Sequence, residues 1–120
     1  RTNNDWLTSD TNSVDDYTND PLCGFKVTNG LWKDLSYGLL RIFKKNYYSK
    51  NNKNIPILLM TGEWDQATQN SKLSSYLYNF LSSIFNNVTY KVIKNASHEI
   101  FSELNKNYSS NILLLFLCNK

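Results

Sequence analysis

A chain of 120 residues, 41% hydrophobic and 14% aromatic, has room for one domain around a modest core and is too apolar to be disordered throughout. Its net charge of +3 is carried on scattered lysines, which do not form the basic stripe of a nucleic-acid binder. Cys23 and Cys118 match no metal spacing, and with His98 as the single histidine a zinc site would be short of ligands. Neither a metal nor a cofactor is therefore expected.

Residues 1–30 are polar, broken by apolar anchors at Trp6-Leu7, Val14, Tyr17, Leu22 and Phe25. Ser13 followed by Asp16 resembles a helix N-cap with an acidic first turn and predicts a short helix over 13–18. Asp20-Pro21 closes it, because the residue before a proline avoids the helical region. Within 31–48, Leu31, Leu35, Leu39, Ile42 and Phe43 share one helical face, widened by Trp32 and Leu40. Ser49 to Asn54 contains no apolar residue and reads as a solvated linker. Together with Lys44, Lys45, Tyr47 and Tyr48 it could pass for a basic-aromatic patch. Lysines near a helix C-terminus suit the helix dipole anyway, and no nucleic-acid partner is expected.

The run Ile55-Pro56-Ile57-Leu58-Leu59-Met60 is apolar without alternation, the pattern of a strand covered on both faces. Pro56 lies at its start, where a missing N–H is tolerated. Gly62 is expected to permit a sharp turn, and Asp65 follows just past the strand's carboxyl end. Leu73, Tyr76, Leu77, Phe80, Leu81 and Ile84 recur at helical steps and predict a helix over 73–84. Val88 to Lys94 mixes β-branched residues with lysine, as at a sheet edge. After the loop Asn95-Ala96-Ser97-His98-Glu99, a last helix over about 106–118 uses Tyr108, Ile112, Leu115 and Phe116. The second half thus reads β-α-β-α, and such a crossover makes the strands parallel. Loops after parallel strands open on one edge of the sheet, where open α/β folds bind ligands. Asp65 and His98 can meet there.

An aspartate beside a histidine fixes the imidazole tautomer and stabilises the imidazolium formed when the ring takes a proton. That is the supporting half of a nucleophilic hydrolase, and the order acid then histidine is the α/β-hydrolase order. A G-x-S-x-G nucleophile turn cannot be built from Gly24, Gly30, Gly38 and Gly62. Ser97 lacks the flanking glycines and sits beside its would-be base. The order Cys23, Asp65, His98 would suit a thiol hydrolase. However, Pro21-Leu22-Cys23-Gly24-Phe25 is not a strand-to-helix elbow, and a buried cysteine ordinarily packs as a small hydrophobe. Glu99 is read as loop support. Trp6, Tyr17, Phe25, Trp32 and Tyr37 could line a lipophilic tunnel or simply pack a thin helical layer.

Three stretches together resemble the lysophospholipase and monoacylglycerol lipase group of α/β-hydrolases, the serine aminopeptidase S33-like family. They are Trp6-Leu7 with Val14-Asp15-Asp16-Tyr17 and Asp20-Pro21-Leu22-Cys23-Gly24-Phe25, then Pro56-Ile57-Leu58-Leu59 leading to Gly62-Glu63-Trp64-Asp65, then Ser97-His98-Glu99-Ile100-Phe101-Ser102-Glu103. The likeness runs nearly end to end and corresponds to the C-terminal half of such a protein. It implies an α/β fold, with residues 1–50 forming a helical cap segment and 51–120 the C-terminal part of the hydrolase core. Asp65 would be the triad acid and His98 the general base, while Cys23 and Phe25 would contact the substrate. The substrate would be a small acyl ester or lipid-like molecule. The serine and oxyanion hole would lie in an N-terminal half of the hydrolase, the expected partner of these residues. Where the family usually has a Pro-Val pair after the acid, this chain has Gln66-Ala67, and Trp64 stands where an acidic or small residue is common.

Other readings are a peptidase of the same fold, and a catalytically incomplete interaction module or remnant. A first residue of Arg1 leads to the expectation of a segment from something longer. The longest apolar run, Ile112 to Cys118, is too short for a transmembrane segment. Asn-x-Ser/Thr triplets at Asn87, Asn95 and Asn107 are expected by chance in so asparagine-rich a chain. A glycan on Asn95 would obstruct the His98 loop, and a cytoplasmic protein with two free thiols is expected.

Overall fold

The computed structural model describes residues 1–118. Elements follow in the order α1 (Thr11–Asn19), α2 (Asn29–Ile42), a 3-10 turn (Lys45–Tyr48), β1 (Pro56–Gly62), a second 3-10 turn (Gln66–Thr68), α3 (Lys72–Ser82), β2 (Asn87–Ile93) and α4 (Lys106–Cys118). The fold is mixed α/β, and its sheet is the expected parallel pair. β1 and β2 run in register from Pro56 opposite Asn87 to Gly62 opposite Ile93, joined through α3.

The strand ends are fastened at both edges. At the amino edge the Asn86 N–H donates to the Lys53 carbonyl at 2.8 Å, and the Asn87 side-chain amide donates to the Asn54 carbonyl at 2.9 Å. The segment read as a solvated linker is therefore partly structural. Lys53 is half-buried, donates to the Tyr48 carbonyl and lies over the Phe85 ring. At the carboxyl edge the Glu63 N–H donates to the Ile93 carbonyl and the Trp64 N–H to the Ala96 carbonyl, each at 2.9 Å. The Glu63 carboxylate also accepts from the Asn95 N–H at 3.0 Å.

The best-packed core sits beneath this carboxyl edge. Ile93, Ala96 and Ile100 are buried, with Met60 and Ile112 packed against them. β1 is less covered than its sequence suggests. Ile57 to Met60 are half-buried, because among the described residues β2 is the one strand pairing with β1.

Helix boundaries differ from expectation, α3 for instance ending at Ser82 rather than 84, and two of the differences have a visible cause. α1 begins at Thr11, not at 13, because Asp10 is the N-cap and accepts from the Asn12 N–H at 3.1 Å. Ser13 instead donates its hydroxyl to the Asp10 carboxylate. α2 stops at Ile42 rather than continuing to 48. The Tyr48 hydroxyl donates to the Ile42 carbonyl, and the Tyr48 ring packs edge-on against Phe80 and Phe85. With Phe43 edge-on to Phe80 at 5.2 Å, these contacts turn the chain onto α3. The expected apolar stripe of α2 is present yet uncovered: Leu31, Trp32, Leu35, Leu39 and Leu40 are all exposed. On α3 Leu73 and Tyr76 are exposed, and on α4 so are Tyr108, Leu114 and Leu115. No helix of the described residues is long and apolar enough to cross a membrane.

Candidate active site

Two loops meet at the carboxyl edge of the sheet. The first leaves β1 at Gly62 and delivers Asp65. The second leaves β2 at Ile93 and delivers His98. They cross so closely that a Cβ on Gly62 would lie 1.8 Å from the Ser97 carbonyl oxygen and 2.4 Å from that of Ala96. The chain turns just after Gly62 as expected, with the Asp65 N–H donating to the Gly62 carbonyl at 3.4 Å, but what demands a glycine here is space. The glycine with a left-handed backbone is Gly24, at φ +62°.

This crossing brings the two candidate side chains together. Asp65 Oδ1 lies 3.0 Å from His98 Nδ1. The carboxylate is 3% exposed and is held by its own loop, since Oδ1 also accepts from the Ala67 N–H at 2.9 Å. Around it, the Thr68 N–H donates to the Asp65 carbonyl and the Gln69 N–H to the Gln66 carbonyl, each at 3.2 Å, forming the 3-10 turn at Gln66–Thr68. The Asn70 N–H closes over it onto the Asp65 carbonyl at 2.8 Å. An acceptor-only carboxylate opposite Nδ1 selects the Nδ1–H tautomer and leaves Nε2 as the basic nitrogen. The imidazole itself is exposed, so Nε2 is accessible. Oriented this way, the ring can take a proton at Nε2 while Asp65 stabilises the resulting charge.

The amino-terminal segment completes the surroundings. The Trp6 ring lies 5.0 Å from the His98 ring, tilted by 43°. A depression of about 240 Å³ opens next to it, lined by Trp6, Gln66 and Ala67. Leu7 is buried, and its carbonyl accepts from the Glu99 N–H at 2.7 Å. The Thr8 hydroxyl donates to the Ser102 carbonyl at 3.0 Å.

Beneath the histidine loop lies Glu103, a buried carboxylate to which the sequence reading gave no role. Burial works against its ionisation, but donation from the Ser9 hydroxyl, the Ser97 N–H and the Ser9 N–H outweighs burial and holds the carboxyl below its usual range. A charged residue between Ile100-Phe101 and Leu104 was the available signal. Its partner, Ser9, is 94 positions away, and nothing local points to it.

Cys23 and Phe25 lie on the loop between α1 and α2. Phe25 is exposed. Cys23 is a free, half-buried thiol whose pKa is raised by burial and by the nearby carboxylates of Asp20 and Glu99. That is the reverse of what activates a thiolate nucleophile, and no hydrogen bond joins Cys23 to His98 among the described residues. Of the other tunnel candidates, Trp32 and Tyr37 are exposed on α2, and Tyr17 lies beside Gly24. No group of three or more histidine, cysteine or acidic side chains suited to a metal occurs among the described residues.

Comparison with known proteins finds a matching family and a similar solved structure. The profile of the family described as serine aminopeptidase, S33, matches residues 1–105. Among solved structures, the chain is similar to a highly thermostable carboxyl esterase from Bacillus coagulans determined in complex with glycerol. The TM-score is 0.76 at 26% identity, and the match covers 99% of this chain and 39% of the esterase. The chain therefore spans well under half the length of that protein. A search of the curated proteins finds no match.

Proposed function

Since the chain belongs to the serine aminopeptidase S33 family of α/β-hydrolases, we propose that it is the acid- and base-bearing part of a serine hydrolase that cleaves small acyl esters or lipid-like esters. The observation that carries this reading is the 3.0 Å approach of Asp65 to His98 Nδ1 at the carboxyl edge of a parallel sheet. In the proposed reaction a serine hydroxyl attacks the ester carbonyl and its proton passes to Nε2 of His98. Collapse of the tetrahedral intermediate breaks the ester C–O bond, and Nε2 returns the proton to the departing alcohol. Water then attacks the acyl-serine by the same route, releasing the acid and restoring the serine. Asp65 accepts the Nδ1–H throughout.

The nucleophile is assigned to an N-terminal half of the hydrolase. This is supported by the short share of the esterase that the chain spans and by glycine positions that allow no nucleophile turn. The uncovered apolar faces of α2 and α4 suit a larger body packing over them. The depression beside Trp6 and Gln66 is assigned to the alcohol portion of the substrate, and Cys23 and Phe25 to the acyl portion, carried on a cap formed by residues 1–50. A lysophospholipase or monoacylglycerol lipase preference fits the exposed apolar side chains of that segment, among them Leu22, Phe25, Leu31, Trp32 and Leu35.

Steady-state hydrolysis of p-nitrophenyl esters by the full-length protein tests the reading. Asp65→Asn is expected to lower kcat by on the order of 10⁴, the loss that this substitution causes in a serine protease triad. Near wild-type turnover would count against the assignment. The family description also admits amide substrates, and running aminoacyl p-nitroanilides beside the esters separates peptidase from esterase.

A further inference from the structure

Glu103 is 1% exposed and has no cationic partner among the described residues, an arrangement that is costly unless hydrogen bonds compensate. Its two oxygens reach in different directions. Oε1 accepts from the N–H of Ser97, the residue before His98, at 2.5 Å. Oε2 accepts from the Ser9 N–H at 2.9 Å and from the Ser9 hydroxyl. With the Glu99 N–H on the Leu7 carbonyl and the Thr8 hydroxyl on the Ser102 carbonyl, residues 7–9 are laced onto the chain between 97 and 103. Trp6, at the head of that segment, lies against the imidazole.

We propose that Glu103 is a positioning residue for the reaction: its buried carboxylate ties the loop carrying His98 to the segment carrying Trp6, and so fixes the plane in which the imidazole faces Asp65. The proposal rests on the reading of His98 as general base. A carboxylate is the side chain suited to the task, because every group that faces it is a donor and it accepts on both oxygens. A glutamine would turn its NH2 toward either the Ser97 N–H or the Ser9 N–H, both donors only, so at least one backbone hydrogen bond is lost, although the Ser9 hydroxyl can reverse and accept.

The test uses the full-length protein, with active serines titrated by a fluorophosphonate so that kcat is expressed per functional site. Glu103→Gln is expected to lower kcat per site by about 10- to 100-fold while KM changes less than about threefold, since displacing a catalytic group by ~1 Å costs up to ~10² in rate. Ser9→Ala, which keeps both backbone donors, is expected to cost a smaller factor in kcat per site. A role confined to folding would lower the melting temperature and the titratable fraction but leave kcat per site at the wild-type value. That result in both variants overturns the proposal. Should Glu103→Gln not fold, Ser9→Ala decides in the same way. Asp65→Asn is run alongside. If it is crippled while the Glu103 and Ser9 variants match wild type per site, the positioning role alone fails. If Asp65→Asn is fully active, the hydrolase reading fails and the proposal falls with it.

Discussion

Gly62→Ala is the sharpest test of how the two loops are assembled. The added methyl would lie 1.8 Å from the Ser97 carbonyl oxygen, 2.4 Å from the Ala96 oxygen and 2.8 Å from the Ala96 carbonyl carbon. All three are backbone atoms, so no side-chain rotation relieves the clash. Reaching the 3.4 Å of ordinary contact requires the loops to part by about 1.6 Å. Asp65 and His98 lie just past the crossing on their own loops, and their 3.0 Å contact has no slack of that size. Overpacking usually costs about 1–3 kcal/mol, and a clash among backbone atoms belongs at the upper end or beyond. Losing the aligned Asp65–His98 pair is expected to lower turnover by on the order of 10² or more. Urea denaturation gives the stability, and p-nitrophenyl ester hydrolysis by the full-length protein gives the turnover. A variant whose stability lies within about 0.5 kcal/mol of wild type, the range of an innocuous surface change, and whose turnover is intact would refute the crossing geometry.

Two further outcomes follow from the buried and half-buried titratable groups. Glu103 has a folded-state pKa below its ordinary value of 4.5, so its ionised form stabilises the fold above that pH. The contribution is lost as pH falls from there through the depressed value. The stability gap between wild type and Glu103→Gln should therefore narrow when denaturation is followed from pH 7 to pH 3, and a constant gap contradicts the assignment. Cys23, half-buried with a raised thiol pKa, should react with iodoacetamide at neutral pH more slowly than the exposed Cys118. Faster modification of Cys23 would revive the thiol-nucleophile alternative.

The β-α-β unit was readable because its signals are local. An apolar run, a helical repeat and a second β-branched run specify the elements, and the crossover then obliges Asp65 and His98 to share an edge. What escaped the sequence depends on distant partners. Asp10 outcompetes Ser13 as the cap of α1, a choice between two good capping residues that periodicity cannot make. α2 ends early because Tyr48 docks on Phe80 and Phe85, a tertiary contact overriding the helical repeat. Gly62 was read as a turn former and the chain does turn after it, but the sequence did not show that a glycine is needed there to let the Ser97 carbonyl pass. The Glu103–Ser9 tie spans 94 positions, and neither residue carries a pattern that names the other. The apolar stripes of α2 and α4 were legible as stripes, but their exposure was not, because periodicity reports which residues share a face and not what covers it.

The central claim is that His98, held by Asp65, activates a serine. Fluorophosphonate labelling of the full-length protein measures this directly, because the probe reacts only with a serine that a neighbouring base has activated. The account predicts modification of one serine in the wild-type protein and loss of that labelling in His98→Ala. An unlabelled wild-type protein, or a His98→Ala variant that labels as fast as wild type, would contradict it.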